Sequence, residues 1–94
     1  MGLFSRKSKD PIVMFEGQLA AVRTSWQFYD QMPRSVQSNA TSTMPNALRK
    51  GYQAAHAVDP THADALVADA RRDDVAGGPS SLSWLALLDY AVSS

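Results

Sequence analysis

The chain has 94 residues, nine Lys and Arg against nine Asp and Glu, and no cysteine. That length supports one domain with a thin stability margin. The missing thiols exclude a disulfide framework, a thiolate metal site and a cysteine nucleophile, and they favour a reducing, cytoplasmic setting. Zero net charge hides an asymmetry: Arg6, Lys7 and Lys9 stand in the first nine residues without an acid, so the remainder is mildly acidic, which argues against nucleic acid as a partner.

Residues 1–9 read as a flexible basic tail. Leu3 and Phe4 followed by Arg6, Lys7 and Lys9 form a candidate membrane contact, in which apolar side chains insert and cations are drawn to anionic lipid. The bland alternative is a solvated, disordered start. Arg6 stands where the myristoylation pattern needs Ser or Thr, and the apolar stretch of a secretory signal does not follow the basic residues.

The next segment carries the strongest pattern. Ile12, Phe15, Leu19, Val22, Trp26 and Tyr29 are spaced three, four, three, four, three, which is a heptad seam along one side of a helix. Asp10 is placed to cap it and Pro11 to open it, and Pro33 should end it near Met32. The seam packs either on the other helices of its own chain or on a second chain. A second line on the same helix, Met14, Ala21 and Phe28, steps by seven and points about 130° away from the seam. If the seam faces the core, this line either meets another layer or faces outward. In the outward case Met14 and Phe28, with Val13 beside them, are candidate partner-binding residues.

Residues 33–43 are rich in Ser, Thr and Asn, which compete with helix by bonding their own backbone, and the segment is read as a linker. A second helix is predicted from about Pro45 to Val58, with Leu48, Tyr52 and Ala55 inward. Asp59-Pro60 breaks it. Asp59 or Thr61 caps a third helix reaching about Val75, whose apolar face is thin: Leu66, Val67 and Ala70. Gly77-Gly78-Pro79 is a stop. Ser80 or Ser81 then caps a last helix, Leu82–Val92, that is apolar nearly all round and too short to span a bilayer.

Chemistry-bearing patterns are sparse. His56 and His62 are six apart across a proline break, which is not the i, i+4 spacing of a helical metal pair. Asp69, Arg71, Arg72, Asp73 and Asp74 read as a solvated mixed-charge end. No phosphate loop or nucleophile elbow is present. A helix–turn–helix reading of DNA is disfavoured by the acidic start of the third helix. Tyr52-x-x-Ala55 followed by Pro60 resembles the second helix and exit of a tetratricopeptide repeat. A lone unit of that kind cannot bury its faces, so the segment is read as an ordinary helix pair with a proline turn, and no function follows from it.

The sequence thus leads to an all-α expectation: a small four-helix bundle over residues 10–94, its long first helix packed on the apolar C-terminal helix. Trp26, Trp84, Leu19, Val22, Leu85 and Leu88 are the expected core. The functional expectation is a non-enzymatic interaction module without cofactor or metal, such as an adaptor, inhibitor or accessory subunit. Its partner would be another protein chain or a second copy of itself. The alternative is a peripheral membrane-associated factor using the basic tail.

Overall fold

The computed structural model describes residues 10–73, 75, 77–79 and 82–93. In chain order these form α1 (Pro11–Gln27), a 3-10 turn (Tyr29–Gln31), α2 (Arg34–Val58), α3 (Pro60–Arg71) and α4 (Trp84–Val92), with no strand among the described residues. The four-helix, all-α expectation is met. The tail, and with it Leu3, Phe4, Arg6, Lys7 and Lys9, lies outside the described residues.

α1 starts as its sequence dictates. The Asp10 carboxylate accepts the Ile12 N–H at 2.9 Å, and Pro11 takes the first helical position. The helix ends earlier than expected, at Gln27. Pro33 holds Met32 extended, with ψ 146°, and the chain reaches it through the tighter 3-10 turn. The Gln37 side-chain amide donates to the Tyr29 carbonyl at 2.8 Å, tying that turn to the start of α2.

Residues 33–43 are not a linker. α2 takes them up from Arg34 onward and runs for 25 residues with Pro45 inside it. The polar side chains do bond backbone, but they do so within the helix. Thr41 and Thr43 hydroxyls donate to the Ser38 and Asn39 carbonyls at 2.9 and 2.7 Å, and the Asn46 amide donates to the Ser42 carbonyl at 2.9 Å. Such back-bonding makes these residues poor helix formers without forbidding helix. Buried Ala40 and Pro45, with Met44 packed beside them, supply the apolar anchorage that a linker reading denied to this stretch.

Asp59 serves both helices it separates. Its N–H donates to the Ala55 carbonyl at the end of α2, and its carboxylate accepts the His62 N–H at 3.1 Å at the start of α3. α3 ends at Arg71, short of Val75. α4 begins at Trp84 and not at Leu82; its cap is Ser83, whose hydroxyl accepts the Ala86 N–H at 3.2 Å. Ser80 and Ser81, the expected caps, lie outside the described residues.

The core joins the α1 seam (Ile12, Phe15, Leu19, Val22, Trp26) to Leu48 and Ala55 of α2, Ala63, Val67 and Ala70 of α3, and Trp84, Leu87, Leu88 and Ala91 of α4. Tyr29 is half-buried, its ring edge-on to Trp26 at 5.9 Å. Two expectations are corrected. Leu85 is not core: it is 50% exposed, because α4 lies against one side of the molecule and leaves its far side open. The main packing is not between the first and last helices. α2 is the hub, with α1 and α4 packed most extensively on it and α3 folded back along it.

Both tryptophans bury an aromatic surface and place their one polar atom on a backbone carbonyl. Trp26 Nε1 donates to Leu82 O at 3.0 Å, and Trp84 Nε1 donates to Ala70 O at 2.9 Å, in the last turn of α3. Gly77 and Gly78 lie against Trp26. A Cβ on Gly77 would overlap the Trp26 carbonyl oxygen, and one on Gly78, at φ +101°, would overlap the indole.

Candidate functional site on the outward face of α1

α1 is gripped on three sides. Its seam faces the core. On one flank a groove of about 200 Å³ runs between Pro11, Met14 and Gln18 and the α2 residues Lys50, Gly51 and Ala54. On the other flank a cleft of about 220 Å³ separates Glu16, Leu19, Ala20 and Arg23 from the α3 residues Leu66, Asp69, Ala70 and Asp73, with Trp84 also in its wall. What remains is the side opposite the seam. By the 100° step, it carries Val13, Met14, Gly17, Ala20, Ala21, Thr24 and Phe28.

Of the two readings of the Met14–Ala21–Phe28 line, the outward one describes the structure. Met14 is 48% exposed, Phe28 51% and neighbouring Val13 50%, and Ala21 is exposed between them. Charge is absent from this face. The only charged side chains of α1 are Glu16 and Arg23, and both turn into the α3 flank, where Arg23 pairs with Asp73 at 3.4 Å. The two hydroxyls near the face bond their own helix: Thr24 and Ser25 donate to the Ala20 and Ala21 carbonyls at 3.1 and 3.0 Å.

Gly17 sits near the middle of this face. Among the described residues a Cβ there would meet nothing within 4 Å, and its φ is not positive. A mid-helix glycine costs up to about 1 kcal/mol relative to alanine, and no contact among the described residues requires this one. The sequence reading treated Gly17 only as a weak point of the helix. The signal that assigns it to the face is its register beside Met14 and Ala21. Gly51, by contrast, has an internal use: a Cβ there would overlap the Gln18 Oε1, so the bare backbone lets Gln18 lie across α2.

The residues with acid–base or ligand chemistry do not converge. His56 lies against the Tyr52 ring at 5.4 Å, whereas His62 sits in the first turn of α3, and both are exposed. The Tyr52 hydroxyl donates to Asp64 at 2.7 Å, and that hydrogen bond, with some burial and the carboxylate's charge, raises the Tyr52 pKa. Among the described residues no three His, Asp or Glu side chains come together as a metal set, and no helix is long and apolar enough to cross a membrane. Comparison with protein-family models, curated proteins and solved structures finds no match to the chain. The candidate site therefore rests on the geometry of α1.

Proposed function

We propose that this protein is a non-enzymatic interaction module, an adaptor, inhibitor or accessory subunit, that docks through the outward face of α1. One observation carries the reading: a helix with its other sides engaged leaves toward solvent a face that holds Val13, Met14 and Phe28 and no charge. A merely solvated face would be expected to carry Lys, Glu or Arg. Large contiguous apolar patches mark contact sites on small proteins.

A site-specific photocrosslinker tests it. Placed at position 28, it should capture one stoichiometric partner in the host. Placed at Gln53, exposed on α2, it should not. Met14→Glu with Phe28→Glu should abolish capture while the melting temperature holds. Equal capture from both positions would remove the basis for assigning the face.

A further inference from the structure

We propose that the cleft between α1 and α3 receives this chain's own N-terminal segment, Leu3 to Lys9. The cleft is a different surface from the outward face of α1, and its occupancy does not depend on that face's partner.

The cleft and the segment are complementary in charge and in polarity. Three carboxylates, Glu16, Asp69 and Asp73, stand in its walls against one guanidinium, Arg23, and Leu19, Leu66 and Trp84 give it an apolar side. Glu16 has no ion-pair partner among the described residues, and the Asp69–Arg72 pair is largely exposed. The segment brings the opposite set: Arg6, Lys7 and Lys9 with no acid, and Leu3 and Phe4 at its far end. Arg23 adds a second argument. It meets Asp73 through a terminal nitrogen, while its Nε is shut away from water with no acceptor among the described residues. A buried donor left in that state is costly, and a peptide laid in the cleft brings backbone carbonyls, the acceptors this nitrogen lacks.

Reach permits the contact. The segment joins the body at Asp10, where α1 begins. Lys7 is three residues back and Phe4 six, so an extended chain carries them up to about 10 and 20 Å from Asp10. Along α1, Glu16 lies about 9 Å from Asp10 and Arg23 about 20 Å. A segment folded back along α1 can therefore set Lys7 beside Glu16 and bring Phe4 level with Arg23. Charge decides between the two flanks of α1. The α2 groove also holds an unpaired buried atom, Gln18 Oε1, but the charged side chain in its wall is Lys50, which repels the segment. Exposed ion pairs are individually weak. A tethered segment, however, acts at an effective concentration on the order of millimolar, so weak contacts suffice. Docked in this way, the segment withdraws its cations from any anionic surface outside the molecule.

The natural absence of cysteine gives the test. Two full-length double variants are oxidised at high dilution, and the intramolecular disulfide is followed on the monomer band of a non-reducing gel. Ser5→Cys with Ala20→Cys, in the cleft wall, should close about tenfold faster than Ser5→Cys with Ala54→Cys, in the wall of the α2 groove. The preference should vanish in about 1 M salt, where the Debye length is ~3 Å, and when Arg6→Glu and Lys7→Glu are added. Adding Glu16→Lys and Asp69→Lys, both at exposed positions, to that charge-reversed segment should restore it. Equal closure at the two positions, faster closure at position 54, or a preference that survives reversal of the segment's charge overturns the inference. If the chain shows no preference yet floats with vesicles of phosphatidylserine and phosphatidylcholine, the segment serves a membrane and the cleft is not its place.

Discussion

Trp84 does two things at once. It fills the centre of the core at 2% exposure, and its indole N–H donates to the Ala70 carbonyl in the last turn of α3, which also accepts the Asp73 N–H at 3.1 Å. Truncation loses the packing and that hydrogen bond, leaving the carbonyl only its bond from the Asp73 N–H. Trp84→Ala is expected to cost about 3–5 kcal/mol, a large share of the roughly 5–15 kcal/mol that holds a domain together. Urea denaturation with circular dichroism measures it, and an unchanged midpoint would contradict the core assignment. Tyr52 contributes through a proton. Its hydrogen bond to Asp64 raises its folded pKa above the ordinary 10.0, so the folded state holds the proton more tightly than the unfolded chain. That stability is fully present below about pH 10 and is lost as pH rises through the folded pKa. Tyr52→Phe is expected to be slightly less stable at pH 8 and to show a shallower alkaline decline, read from melting temperatures between pH 8 and pH 11.

At the scale of elements, α1 was legible because its code is redundant: a seam of large side chains, an Asp cap and a proline at the first position all agree. α3 was legible from Asp59-Pro60 for similar reasons. The first half of α2 was not. Its Ser, Thr and Asn residues have weak helix propensity, and the anchors that hold it, Ala40 and Pro45, do not look like anchors in a sequence. The α1 line of Met14, Ala21 and Phe28 could be read as a line, but not as exposed. Exposure depends on where α2 and α3 lie against α1, and that is a tertiary fact. The two halves of α2 should also behave differently. Pro45 supplies no N–H to the Thr41 carbonyl, and the core contacts of Leu48 and Ala55 lie on the C-terminal side. Amides of residues 34–44 are expected to exchange at least tenfold faster than those of residues 46–58, as hydrogen–deuterium exchange with mass spectrometry would show. Uniform protection along α2 would contradict this division.

At the scale of the whole molecule, the 25-residue α2 is the longest dimension. At 1.5 Å per residue it spans about 37 Å, matching the 37 Å extent of the molecule. The other three helices are arranged around it, with α1 leaving one side to solvent. Little of the cohesion is ionic. The three salt bridges among the described residues, Arg23–Asp73, Arg71–Asp89 and Arg72–Asp69, are all partly or largely solvent-exposed, and pairs of that kind add little. The core carries the fold.

The attachments of α4 have a further consequence. Trp26 bonds to Leu82 across 56 positions of chain, and Arg49 to Ser93 and Tyr90 to Asn46 each across 44, the Arg49 guanidinium also lying 4.8 Å above the Tyr90 ring. The hairpin of α1 and α2, by comparison, joins neighbours in the chain. Ribosomal synthesis delivers that hairpin and α3 before the residues of α4 exist. Until they emerge, the surfaces that receive Trp84, Leu87 and Leu88 lack their cover, so the nascent protein passes through an interval in which it shows a greasy surface that the finished molecule hides.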